Sequence, residues 1–97
     1  MQDKRIILKR AQMYFQQGRL DKAIVEYENL LHIDPKDINA LSVLGDIYSR
    51  RGNKEKSYQK YKEVAKIYES KNMLPRAIAT YKKIIKLDPN NVSAALD

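Results

Sequence analysis

AQMYFQQGRLDKAIVEYENLLHIDP (residues 11–35) reads as two amphipathic helices folded against each other across a tight turn. Apolar residues recur at three- and four-residue steps on either side of Gly18, the period of a helix with one buried stripe. The chain then repeats itself. Thirty-four residues after Ala11, Tyr14 and Gly18 stand Gly45, Tyr48 and Gly52. The later stretch LPRAIATYKKIIKLDP (residues 74–89) aligns with LDKAIVEYENLLHIDP (residues 20–35) at a spacing of 54. Self-similarity at a period of about 20–50 residues is the signature of a solenoid, in which each unit buries its apolar face only against its neighbours.

Boundary residues divide the chain into five helices. Asp3 is placed to cap a first helix over 4–17, and Gly18 supplies the left-handed residue that stops it. The second helix spans 20–33 and ends at Asp34-Pro35, because the residue before proline is pushed out of the helical region. Asp37 caps a third helix over 38–51, which ends at Gly52, and Asn53 caps a fourth over 54–71. A fifth runs over 74–87 with Pro75 in its first turn, where the missing N–H costs nothing. Residues 92–97 are expected to start a sixth helix, truncated at Asp97, as in a fragment or terminal module of a longer array.

The fourth helix fits two registers. As partner of the third it offers Ser57, Tyr61 and Val64 where the second helix has Ala23, Tyr27 and Leu30. As opener of a new hairpin it offers Ala65, Tyr68 and Asn72 where the first has Ala11, Tyr14 and Gly18. The third step is thus 20 residues instead of 34, and a single domain over 1–97 follows: a hairpin at 4–33, then 38–51 with 54–71, and 54–71 with 74–87. Ala11, Gly45 and Ala65 face Ala23, Ser57 and Ala77 across the hairpins, so that the helices approach closely. Glycine inside a helix costs about 1 kcal/mol against alanine, which points to a steric demand at Gly45.

Composition removes several function classes. The chain has 97 residues, three Gly, three Pro and no Cys, which excludes low-complexity sequence, a disulfide framework and thiolate metal sites, and suits a reducing, cytoplasmic setting. Apolar runs are too short for a signal peptide or a membrane span. The Lys/Ile/Asn-rich usage points to a bacterial source. The net charge of +7 is uneven: residues 1–37 hold seven basic and six acidic residues, whereas from Lys54 onward there are ten basic and five acidic. Such an excess attracts anionic partners. Lys54, Lys56, Lys60, Lys62, Lys66, Lys71, Lys82, Lys83 and Lys86 could neutralise phosphates. Helical geometry scatters them over several faces and no nucleic-acid motif is present, which argues against a nucleic-acid binder. His32 is the sole histidine and has no obvious nucleophile or carboxylate partner, and no phosphate loop or metal-ligand spacing occurs; catalysis and cofactors are not expected.

These residues resemble the tetratricopeptide repeat. That family places a small residue and a Tyr three positions on in its first helix, Gly at the turn, Ala and an aromatic in its second helix, and Pro at the end. Ala11, Tyr14, Gly18, Ala23, Tyr27 and Pro35 meet the pattern in full. Gly45, Tyr48, Gly52 and Tyr61 meet it again, with Ser57 for Ala and Glu69 where Pro would stand. Ala65, Tyr68, Ala77, Tyr81 and Pro89 form a third set, with Asn72 for Gly. The resemblance implies an all-α, right-handed α-solenoid of antiparallel hairpins, five helices plus the start of a sixth. It also implies a scaffold without catalytic activity, whose first helices line a groove for a peptide or helical segment of a partner. The groove would draw on Arg5, Leu8, Gln12 and Phe15, then Asn39, Ser42, Asp46 and Arg50, with Lys62 and Lys66 joining if the fourth helix acts as an opener. Its basic members favour an acidic partner. Some family members clamp the terminal carboxylate of chaperone tails; the matching places here are Leu8, Gln12, Val43, Gln59 and Glu63, none of which fits. A last hairpin exposing Ile78, Tyr81 and Ile85 would invite a second copy of the chain.

Overall fold

Backbone chemistry at the turns sets the helix boundaries. The computed structural model describes residues 3–88. Five helices are found there: α1 (Lys4–Gln16), α2 (Leu20–Ile33), α3 (Ile38–Arg50), α4 (Lys54–Ser70) and α5 (Leu74–Leu87). The expected start of a sixth helix lies outside the described residues. Three helices begin on a side-chain cap. The Arg5 N–H donates to Asp3 at 2.8 Å, the Ala40 N–H to Asp37 at 3.0 Å and the Lys56 N–H to Asn53 at 3.2 Å.

Three turns share one hydrogen-bond pattern. The N–H of Arg19, Asn53 and Met73 donates to the carbonyl of Tyr14, Tyr48 and Tyr68, six residues back inclusive, and Gly18, Gly52 and Asn72 donate to Phe15, Ser49 and Glu69. This is the Schellman closure, which needs a left-handed residue at its centre. Gly18, Gly52 and Asn72 sit there with φ of +74°, +79° and +57°. The closure also explains why α1, α3 and α4 each end one residue before the sequence places their ends: Gln17, Arg51 and Lys71 are the capping residues of the turns. At the other kind of junction, Asp34 turns extended before Pro35. Lys4 fastens that corner to α1, with its Nζ 2.8 Å from Asp34 and 3.2 Å from Asp37.

Packing follows the order of the chain. α1 pairs with α2, α2 with α3, α3 with α4, and α4 with α5. One apolar cluster joins the first three helices through Ile7, Ala11, Ala23, Tyr27, Leu30, Ala40, Leu44, Ile47 and Tyr48. Another is formed by Leu41, Val64 and Ile67, and Leu31 packs against both, so the core runs on without a break. The six small residues expected at the crossings are all buried. At the α3–α4 crossing the Ser57 hydroxyl donates to the Gly45 carbonyl at 2.7 Å. α4 is one uninterrupted helix that packs against both α3 and α5. α5 packs Ala77, Thr80 and Ile84 inward, and Thr80 satisfies its buried hydroxyl on the Arg76 carbonyl at 2.9 Å.

Candidate partner-binding site

Spacing alone puts Arg5, Leu8, Gln12 and Phe15 on one stripe of α1, and Asn39, Ser42, Asp46 and Arg50 on one stripe of α3. The structure gives these residues unequal roles. Leu8 and Phe15 are half-buried against the first apolar cluster, as is Val43. The Arg50 guanidinium lies over the Phe15 ring at 5.4 Å, so the C-terminal ends of the two stripes meet. Arg and an aromatic face attract at this range, and the pair remains open to solvent on one side. Gln12 and Asn39 are exposed and Ser42 is half-buried. Arg5 sits at the far end of its stripe, highly exposed, with its guanidinium 3.4 Å from Asp3, the residue that caps its helix. Lys66 is exposed, and Lys62 is half-buried with its ammonium 5.6 Å from the Tyr58 ring.

Asp46 is the acidic member of the set, and its charge is met from within the protein. The buried Tyr61 of α4 donates its hydroxyl to the Asp46 carboxylate. Lys83 of α5 places Nζ 3.5 Å from the same oxygen and lies 5.4 Å over the Tyr61 ring. Burial pushes the Tyr61 hydroxyl above the usual tyrosine range and the Asp46 carboxylate adds to it, so Tyr61 stays a donor at neutral pH.

A second polar junction ties α2, α3 and α4 together. Tyr48 donates its hydroxyl to Glu28 at 2.7 Å, and the Lys60 ammonium donates to the other Glu28 oxygen at 3.0 Å. Lys56 stands 5.4 Å over the Tyr48 ring. Burial pushes the Glu28 carboxyl upward, but the two hydrogen bonds and the charges of Lys60 and Lys56 outweigh it and hold it below the usual range. Burial, with Glu28, raises Tyr48 in turn. On the opposite side Arg10 donates to Glu26 at 2.9 Å, from α1 to α2. Several cations thus serve the scaffold itself: Lys4, Arg10, Lys60 and Lys83 each hold a carboxylate. Sequence reading missed the Glu28 and Asp46 junctions, since neither carries a motif; an acid about one turn from a repeat tyrosine on a neighbouring helix is the signal that could have found them.

Among the described residues, no group of three or more His, Asp or Glu is arranged to hold a metal ion. No helix there is long and apolar enough to cross a membrane.

Three family profiles match the chain. One described as TPR repeat covers residues 11–52, and two described as tetratricopeptide repeat cover 40–66 and 63–91. The last two overlap inside α4, the helix that packs on both its neighbours. Among solved structures the chain is similar to the first TPR of Spaghetti (RPAP3) bound to HSP90 peptide SRMEEVD, with a TM-score of 0.57 and 20% identity over 94% of this chain and 85% of that one. Identity at that level reflects shared fold. No curated protein matches the chain.

Proposed function

Because the chain belongs to the tetratricopeptide repeat family, we propose that it is a protein-interaction scaffold without catalytic activity, a single domain over 1–97 that holds an acidic peptide or helical segment along the stripes of α1 and α3. The carrying observation is the Phe15–Arg50 contact, in which a guanidinium lies over an aromatic ring at the meeting point of two hairpins. Arg50 can donate to a carboxylate while Phe15 takes an apolar neighbour of that carboxylate. Asp46 lies on the same stripe, but its charge is already compensated by Tyr61 and Lys83, so it repels an acidic segment little. The solved neighbour holds an HSP90 peptide, SRMEEVD, on a scaffold of this kind. In this chain the places that would clamp a terminal carboxylate carry Leu8, Gln12, Val43, Gln59 and Glu63, so recognition runs through acidic side chains instead. The cysteine-free composition and the Lys/Ile/Asn-rich usage are the basis for proposing a bacterial, cytoplasmic setting.

The test is selection from a display library of acidic segments, followed by anisotropy titration of the best binder. Arg50→Glu and Phe15→Ala should each weaken binding about tenfold; Arg50→Glu should retain helicity and melting temperature, whereas Phe15→Ala should also lower the melting temperature, because Phe15 packs against the first apolar cluster. Amidating the peptide's C-terminus should change nothing. Binding that is indifferent to both substitutions, or that depends on a free C-terminal carboxylate, removes this reading.

A second reading, self-association, is favoured by one feature. Leu74 and Ile78 of α5 are exposed, whereas Leu20 and Ile24, 54 residues earlier, pack against the first apolar cluster. Nucleic-acid binding has less support, since Lys60 and Lys83 are engaged by carboxylates and Lys56 and Lys62 lie over tyrosine rings.

A further inference from the structure

We infer that the cleft where α3 ends, α4 begins and α5 ends is a seat for paired acidic side chains of a partner segment. The inference rests on the scaffold reading and adds to it a position that the repeat pattern does not define. The cleft has a volume of about 400 Å³, and its lining includes Ser49, Lys54, Tyr61, Lys83, Lys86 and Leu87. It exists because the repeat is irregular: the shortened step brings α5, rather than another opening helix, alongside α4, and α5 carries Lys83 and Lys86 one turn apart.

Charge and shape agree on the occupant. Lys83 is held in place by Asp46 and the Tyr61 ring, and the Asp46 carboxylate offsets its charge. Lys54 and Lys86 have no such partner among the described residues, which leaves a surplus of two positive charges at the cleft. Convergent cations beside low-dielectric walls focus their field into the space between them. Leu87 and the Tyr61 ring supply those walls, and the Ser49 hydroxyl adds a donor. A volume of this size suits a few side chains rather than a single ion. Two carboxylates reaching Lys54 and Lys86, with an apolar side chain between them against Leu87, satisfy the lining. Ser49 follows Asp46 and precedes Arg50 on α3, so the cleft continues the α3 stripe and one acidic segment can run through both.

The probe is a fluorescein-labelled peptide with two Glu-Glu pairs flanking one leucine, titrated by anisotropy at low ionic strength. The Lys54→Glu/Lys86→Glu chain should bind at least about tenfold more weakly than the wild type. A Lys9→Glu/Lys36→Glu control, equal in net charge change at exposed positions elsewhere, should stay within about twofold. In the unaltered protein the same peptide should shift the amide resonances of Ser49 and Gly52, a readout independent of any substitution. Equal losses in the two double variants, shifts confined to other residues, or equally tight binding of a single-stranded oligonucleotide of matching charge would each overturn the assignment. If the Lys54/Lys86 variant binds like the wild type while Arg50→Glu does not, the cleft falls and the groove reading stands. If the wild type binds no acidic peptide at all, both fall.

Discussion

A β-carbon at Gly45 would stand 2.4 Å from Cε1 of Tyr61 and 2.9 Å from its Cζ. Real β-carbons do not approach a ring that closely, so either the ring or the helix has to move. The ring is poorly placed to do so, because Tyr61 is buried and its hydroxyl is engaged by Asp46. Alanine would gain about 1 kcal/mol of helix propensity over glycine. Overpacking a crossing of this kind costs about 1–3 kcal/mol, and more where the backbone has to separate. The steric term therefore wins. Gly45→Ala is expected to destabilise the protein by up to about 2 kcal/mol net, a fall in melting temperature of several degrees for a chain of this size. Gly45→Leu should cost more. Urea denaturation checks both, and Tyr61→Leu combined with Gly45→Ala separates the causes: if the ring is the obstacle, the double variant costs less than the sum of the singles. An unchanged midpoint in Gly45→Ala would show that helix propensity, and not the approach to Tyr61, governs this position.

Helix ends were open to sequence reading because their chemistry is local. Asp3, Asp37 and Asn53 cap the residues that follow, and Gly18, Gly52 and Asn72 adopt the left-handed conformation at the turns where the repeat pattern places them. The crossings were legible too, since Ala11 and Ala23, Gly45 and Ser57, and Ala65 and Ala77 form three pairs of small residues, each pair 12 residues apart. Contacts between side chains of different helices were not. Glu28, Tyr48 and Lys60 lie on three helices, and whether they meet depends on the crossing angle and on how far α4 slides along α3, neither of which leaves a periodic trace. The lysine cleft escaped for the same reason: its lining comes from α3, α4 and α5, and helical spacing on any one of them scatters the charges. The Glu28 junction has a measurable signature between elements. Its carboxyl is held below the ordinary value of 4.5 in the folded chain, so its contribution to stability is full at neutral pH and is lost as pH falls below that value and through the folded one. Glu28→Gln cannot titrate. The wild type should therefore be the more stable protein near neutral pH, and the gap should close as the solution is acidified below about pH 4.5, followed by denaturation at a series of pH values. A gap that is constant with pH would mean that packing alone, without the charge, accounts for the junction.

At the scale of the whole chain the two proposed surfaces respond to salt in opposite directions. Peptide binding at Arg50 and at the lysine cleft draws on attraction between unlike charges, and screening weakens it as ionic strength rises, with a Debye length of about 8 Å under physiological conditions. The α5 face is different. Leu74 and Ile78 are 52% and 55% exposed and lie one turn apart, with Ile85 half-buried further along. Lys82, one turn beyond Ile78, is exposed and basic. A second copy meeting this face through a two-fold axis would bury the same apolar side chains on both partners. It would also bring like charges together, and salt relieves that repulsion. Self-association is thus expected to strengthen with salt and with concentration. Sedimentation velocity over a concentration series should show a dimer boundary that grows as sodium chloride is added, and Ile78→Lys should abolish it while leaving helicity intact, because the side chain already faces solvent in the single chain. A protein that remains strictly monomeric at high concentration in high salt would assign the exposed α5 stripe no role in pairing, and a dimer that dissociates with added salt would place the contact on the charged surfaces instead.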